Sequence, residues 1–185
     1  MFKLAMSALV ALAALQADDA NTKYLKERGF SIQKPKKDEW QFQDKGNLTR
    51  SQLVIKNVVS DATIEMYSEP LNEDKLKYDC KASLEKQYKF IQTDGDYKDV
   101  KQVQKIWTTD LPGKGLAGQK VWLLDMTATF PNGKPMEWKI YCFQARENRG
   151  IFMVNVVTKE GDYAKHKTDL EWMLSTIKTY KIPKD

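Results

Sequence analysis

Three strand-length runs follow one another in the C-terminal half: QKVWLLDMTATF over 119–130, MEWKIYCFQAR over 136–146 and IFMVNVVTKE over 151–160. All three are rich in β-branched and aromatic residues, the types that fit a pleated, half-buried surface. Their connections are short. The first, Pro131-Asn132-Gly133-Lys134-Pro135, holds the Asn-Gly pair that favours a tight hairpin turn, and the second is Glu147-Asn148-Arg149-Gly150. Connections this short leave no room for a crossover, so the three runs must form an antiparallel meander. A sheet built this way has apolar surface to cover. The next segment, about 161–180, provides a cover, with Tyr163, His166, Leu170, Met173, Leu174 and Ile177 on one helical stripe and Pro183 as its stop.

Upstream the same two periods recur. A second helix is predicted over about 72–92, where Leu76, Cys80, Leu84, Tyr88 and Ile91 fall on one face and direct Cys80 toward the core. Before it, TRSQLVIKN (49–57) alternates Leu53 and Ile55 against Gln52, Val54 and Lys56. ATIEMYSEP (62–70) sets Ala62, Ile64 and Met66 on one face, with a turn at Ser60-Asp61 between the two strands. A further strand is expected near 100–108. DDANTKYLKERG (18–29) reads as a short helix started by Asp18, Asp19 or Asn21 and stopped at Gly29. The element order becomes α-β-β-β-α-β-β-β-β-α, an α+β chain whose antiparallel sheet is flanked by helices. The 185 residues, 42% of them hydrophobic and including 5 Trp, 8 Tyr and 7 Phe, suffice for one core.

The N-terminus bears on compartment. Lys3 precedes the apolar stretch Leu4–Leu15, and the polar junction Gln16-Ala17-Asp18-Asp19 follows. The stretch is shorter than the ~20 residues that span a bilayer but suits a secretory signal. We expect residues 1–17 to be a signal peptide cleaved after Ala17, and 18–185 to be one exported domain without a membrane span. An uncleaved anchor is the alternative. In an oxidising compartment Cys80 and Cys142 could pair, and either a disulfide or two buried free thiols fits the sequence. The net charge of +5 comes from 30 basic and 25 acidic residues, with only Arg28, Arg50, Arg146 and Arg149 as arginines. A dispersed surplus of this kind favours solubility and does not point to nucleic acid.

Several motifs invite chemistry and fail on context. Gly113-Lys114-Gly115-Leu116-Ala117-Gly118 satisfies G-x-G-x-x-G. That fingerprint needs a helix after the glycines to hold a pyrophosphate, whereas here a β-rich run follows. Glu137 stands near the distance expected of the ribose-binding acid, but beyond a hairpin turn. The glycines read as loop residues. Asp94, Asp96 and Asp99 in TDGDYKD miss the calcium-loop pattern, since Lys98 and Asp99 occupy its fifth and sixth places. Two cysteines and the single His166 supply no metal spacing. Cys142 lies mid-strand and His166 on an apolar helical stripe, so a thiol nucleophile with a histidine base is not expected. Asn47-Leu48-Thr49 is a glycosylation sequon only where the host modifies exported chains. Most of Trp40, Trp107, Trp122, Trp138 and Trp172 belong to packing. Trp138, beside Glu137 and Lys139, is kept as a surface candidate together with Glu137 and Asp125.

Across nearly all of residues 18–185 the chain resembles the PsbP/Mog1-like superfamily, including its DcrB-like bacterial members. The resemblance is carried by GFSIQKPKKDEW, by ATIEMYSEP with a long helix after it, and by GKGLAGQK ahead of a strand ending TATF. KIYCFQARENRGIFMVNVV and the closing LSTIKTY complete it. It implies an α/β/α sandwich around an antiparallel sheet. It implies no catalytic set and no cofactor, because such domains act mostly as binding or assembly modules. The resulting expectation is a monomeric, exported, non-enzymatic domain with an unknown protein or small-molecule partner. The alternative is a small exported enzyme or apolar-ligand carrier using a cleft between sheet and helix.

Overall fold

The computed structural model describes residues 20–44, 51–70, 79–111, 120–145 and 150–180. In chain order the strands and helices are β1 (Thr22–Leu25), β2 (Phe30–Gln33), β3 (Trp40–Gln43), β4 (Leu53–Asn57), β5 (Thr63–Pro70) and α1 (Cys80–Thr93). They continue with β6 (Lys98–Gln102), β7 (Trp107–Thr109), β8 (Val121–Thr129), β9 (Pro135–Gln144), β10 (Gly150–Lys159), α2 (Tyr163–Ser175) and β11 (Lys178–Thr179). The large sheet runs β3-β4-β5-β10-β9-β8-β6, with β7 also on β8, and every described pairing is antiparallel. A small sheet, β1-β2-β11, stands apart from it.

The expected meander is present as β8-β9-β10. Its first turn places Gly133 at φ +77°, and its register aligns Asp125 with Lys139 and Phe152 with Phe143. Strand alternation then sorts the side chains onto two faces. Leu53, Ile55, Ile64, Met66, Tyr141, Phe143, Phe152, Val154 and Val156 face one way. On that side the residues of α2 (Leu170, Met173, Leu174) and of the small sheet (Phe30, Ile32) close over them. Leu124, Met126, Trp138, Ile140, Cys142, Met153 and Val157 face the other way and meet α1 through Cys80, Leu84 and Ile91. The sheet therefore lies between two layers, as an α+β sandwich does.

Three elements differ from expectation. Residues 22–25 pair with β2 as a strand, and only Lys26–Arg28 coil, as a 3-10 turn, before Gly29 at φ +71°. An isolated helix of that length is marginal in water, so pairing with β2 outweighs local propensity. The closing helix stops at Ser175, not near Tyr180. The hydroxyls of Ser175 and Thr176 donate to Trp172 O (2.6 Å) and Met173 O (2.7 Å), and the chain turns into β11 against Ser31 and Phe30. The strand expected at 100–108 is two, β6 and β7, with a bulge between Lys98 and Lys101 and Asp99 at φ +52°. In α1, Asp79 Oδ1 caps the helix by accepting from the Ala82 amide at 3.0 Å. Such a cap contributes about 1 kcal/mol. The first part of the helix expected from 72, the Gly113–Gly118 segment, the sequon and residues 1–17 lie outside the described residues.

Candidate functional site

A gathering of titratable groups lies in a corner where β8 and β9 meet the start of α2. Asp125 and Lys139 are cross-strand partners, so their side chains project from the same face. Lys139 Nζ donates to Asp125 Oδ2 and lies 4.8 Å from the centroid of the Tyr163 ring, which adds a cation–π contact. The side chains of Lys139 and Asp125 are 17% and 13% exposed, so the pair sits at a rim and not in the deep core. The Tyr163 hydroxyl is hydrogen-bonded to that of Tyr141. One step along β9, Glu137 Oε1 accepts from the Gly161 amide at 3.1 Å, and Thr158 Oγ1 donates to its other oxygen at 3.4 Å. Gly161 has φ +81°, the left-handed conformation that glycine adopts without cost, so Glu137 clamps the turn that launches α2.

The electrostatics of this corner favour holding over proton transfer. Burial, first, and the Tyr163 hydroxyl push the Tyr141 phenol far above its usual range. Burial and then Glu171 push Tyr163 up as well. Both phenols stay protonated at neutral pH, with Tyr141 donating to the Tyr163 oxygen, and neither is poised as a base. The charge of Lys139 is matched by Asp125. The corner can therefore present donors, a carboxylate edge and an aromatic ring to a partner, with no activated nucleophile in it.

The other expected site residues separate from it. Trp138 is 1% exposed, which corrects its place as a surface candidate. Strand alternation turns it away from Glu137 and Lys139 into the α1 side, where it packs on Phe130 (5.3 Å) and Tyr97 (5.7 Å). Asp125 and Glu137 share the α2 side, so the three candidates do not form one site. Cys142 and His166 lie on opposite faces of the sheet, and His166 packs edge-on against Trp40 at 6.0 Å. Asp169 ties that region together, accepting from Trp40 Nε1 at 3.1 Å and pairing with Lys37 at 2.8 Å. Cys80 and Cys142 meet in the α1-side core as free thiols. In the acidic turn, Asp94 Oδ1 accepts the Asp96 amide at 3.1 Å and Asp99 accepts from Thr129 at 3.2 Å. Among the described residues no cluster of His, Cys, Asp or Glu could hold a metal ion, and no helix is long and apolar enough to cross a membrane.

A buried polar group that sequence reasoning missed lies on the α1 side. Glu65 and Asn155 are cross-strand partners, both fully buried. Ser51 Oγ donates to Glu65, Trp138 Nε1 donates to Asn155 Oδ1 at 3.0 Å, and Asn155 Nδ2 and Thr63 Oγ1 find no hydrogen-bond partner. A polar residue in the middle of IFMVNVV was the available signal. Alternation in ATIEMYSE sets Glu65 opposite Ile64 and Met66, and that opposite face is covered too.

No family model matches the chain, and no curated protein matches it in sequence. Solved structures do match it in fold. The cyanobacterial PsbP protein CyanoP from Synechocystis sp. PCC 6803 superimposes with a TM-score of 0.60 at 13% identity, covering 87% of this chain and 94% of that one. LpqN of Mycobacterium tuberculosis, described as involved in cell envelope biogenesis, gives a TM-score of 0.56 at 14% identity, covering 82% and 85%. The Saccharomyces cerevisiae Ran-binding protein Mog1p gives 0.53 at 9% identity, covering 86% and 95%. Likeness at such identities speaks for architecture alone, and that architecture, an antiparallel sheet between helical layers, is the PsbP/Mog1-like α+β fold.

Proposed function

We propose that this chain is an exported accessory domain that binds a protein or small-molecule partner in the cell envelope or outside the cell. In this reading residues 1–17 direct export, and 18–185 work as a monomer without covalent chemistry of their own. The observation that carries it is the corner at Asp125, Lys139, Tyr141 and Tyr163. Its one ion pair, Lys139–Asp125, is internally matched and its phenols are held protonated, a composition suited to recognition and poor for proton abstraction. Fold likeness to LpqN, a protein described as involved in cell envelope biogenesis, supports the compartment, as does the apolar stretch Leu4–Leu15.

The test begins with the full chain expressed with its own leader. Recovery from the exported fraction with Asp18 as first residue agrees with the proposal, whereas retention in the cytosol with residues 1–17 attached contradicts it. A photo-crosslinking residue at Glu137, compared with one at Glu85 on the outer face of α1, then probes the corner. A discrete adduct from Glu137 alone marks it as the contact surface. Equal labelling at both positions removes the corner from the proposal.

A further inference from the structure

Cys80 is the first residue of α1 and Cys142 lies in β9, far apart in sequence and adjacent in space. Both are buried in the same core cluster, at 5% and 0% exposure. Two contacts bring the start of α1 to the part of the sheet that carries Cys142. Trp122 is the β8 partner directly opposite Cys142, and Lys81, the residue after Cys80, puts its Nζ 6.0 Å from the Trp122 ring centroid. The two thiols are close enough to interact side chain to side chain. Their surroundings are apolar, formed by Leu84, Ile140 and Met153, so a zinc or other cation gains no further ligand there.

We propose that Cys80 and Cys142 are a modification site, closed as an intramolecular disulfide that pins the N-terminus of α1 to the centre of the sheet. The step is thiol–disulfide exchange with a disulfide oxidant, either a small-molecule disulfide or a dithiol oxidoreductase in its oxidised form. One cysteine thiolate attacks the oxidant and expels one thiol. The second cysteine attacks the mixed disulfide and expels the other, so two protein thiols are oxidised and one oxidant disulfide is reduced. That closure happens in the cell rests on the export reading above; the geometry of the pair does not.

Donation by its own S–H toward Cys80, then burial, then the nearby Cys80 and Asp79 push the Cys142 thiol far above its usual range. Exchange needs an oxidant to reach a sulfur, and both cysteines are buried under docked α1, so closure belongs to folding or to undocking of the helix. The bond then works on stability. It closes a loop of roughly 60 residues and should raise Tm by on the order of 10 °C.

The purified full chain, reduced and then refolded in oxidised glutathione, gives the direct test by intact mass, alkylation and peptide mapping. The expected result is a loss of about 2 Da, two blocked thiols and a linked peptide pair holding residues 80 and 142. The oxidation-dependent rise in Tm should disappear in Cys80→Ala. Native protein should close at least 10-fold more slowly than protein in mild denaturant, since the thiolate is disfavoured while α1 is docked. Persistent glutathione adducts, chain-to-chain disulfides or two thiols that remain alkylatable would each overturn the proposal. Cys142→Ala is the companion variant, needed because Cys80→Ala also touches the helix N-terminus. Trapping thiols in whole cells separates this proposal from the export reading. A chain that closes in the tube but is retained in the cytosol with free thiols defeats export and leaves the pair standing, while an exported chain with free thiols defeats the pair.

Discussion

The two faces of the large sheet are held in different ways. On the α2 side the interior is mostly apolar and aromatic, and its buried Ser68 and Thr158 both hold hydrogen bonds. Phe152 stacks on Phe143 at 5.3 Å and meets Phe30 edge-on at 6.0 Å, and charged groups keep to the rim. That face has two covers, α2 and the small sheet. The α1 side brings polar groups inside: Glu65, Asn155 and Thr63 are buried there beside two thiols. Burying a polar group costs free energy unless it is paired, so this face depends on specific partners as well as on area. One face tolerates approximate filling, and the other is sensitive to the loss of a single hydrogen bond.

The largest test compares one apolar side chain from each side. Phe152→Ala should cost about 3–5 kcal/mol in urea unfolding, since it removes contacts to two other rings. Leu84→Ala, under the single helix α1, should fall in the lower half of the ~2–5 kcal/mol range for leucine. A larger loss at Leu84 would reverse the comparison.

Next comes the polar link. Trp138→Phe leaves both polar atoms of the Asn155 amide buried without partners and should cost about 1–3 kcal/mol. Adding Asn155→Leu removes the stranded amide, so the double variant should be more stable than the sum of the singles by at least ~0.5 kcal/mol. Strict additivity would mean that the hydrogen bond contributes nothing specific to this face.

Alkaline pH sharpens the contrast from the other side. Tyr141 and Tyr163 on the α2 side have folded pKa values raised above an unfolded value of about 10. Their contribution is complete below that value and lost as pH rises through the folded pKa. Each raised group can steepen the decline above about pH 10 by at most ~1.4 kcal/mol per pH unit. Tyr141→Phe should flatten that limb measurably in chemical denaturation at pH 8, 10 and 11, and an unchanged slope would mean that the corner opens before it titrates.

The smallest effect lies outside both cores. Asp61, at φ +62° in the β4-β5 turn, pairs with Lys134 at 2.6 Å and Lys56 at 3.0 Å, joining that turn to the β8-β9 turn. The hydrogen bonds from Lys134 and then Lys56 hold its carboxyl below the ordinary range. The resulting stabilisation is present above about pH 4 and lost as pH falls through the depressed value. With side chains about half exposed, Asp61→Asn should cost only ~0.2–1 kcal/mol at pH 7, less in high salt and less again as pH falls below about 4.

Legibility from sequence followed the range of the forces involved. The β8-β9-β10 meander, the inner stripe of α2 and the inward Cys80 were all readable, because hairpin chemistry and periodicity act between neighbours in sequence. The candidate site was readable only in part. Asp125 and Glu137 were legible as surface candidates, but only the β8-β9 register puts them on one face, and nothing local announced that Tyr163, 24 residues on, would cover Lys139. Trp138 was misplaced for a related reason. Alternation says that residues 137 and 138 face opposite ways; it does not say which way is out when both faces are covered.

By itself the sequence determined an antiparallel sheet with covering helices, two cysteines turned inward and an N-terminal stretch suited to export, since each follows from composition, spacing and turn residues. Only the tertiary structure decided that residues 22–25 and 178–179 are strands, that Glu65 and Asn155 are buried, and which carboxylates meet which lysines. For β11, Glu65 and Asn155 the deciding partner lies far along the chain, and for residues 22–25 it is the neighbouring β2, itself held in place by β11. Long-range pairing and burial outweigh the few tenths of a kcal/mol per residue by which local propensity prefers one conformation to another.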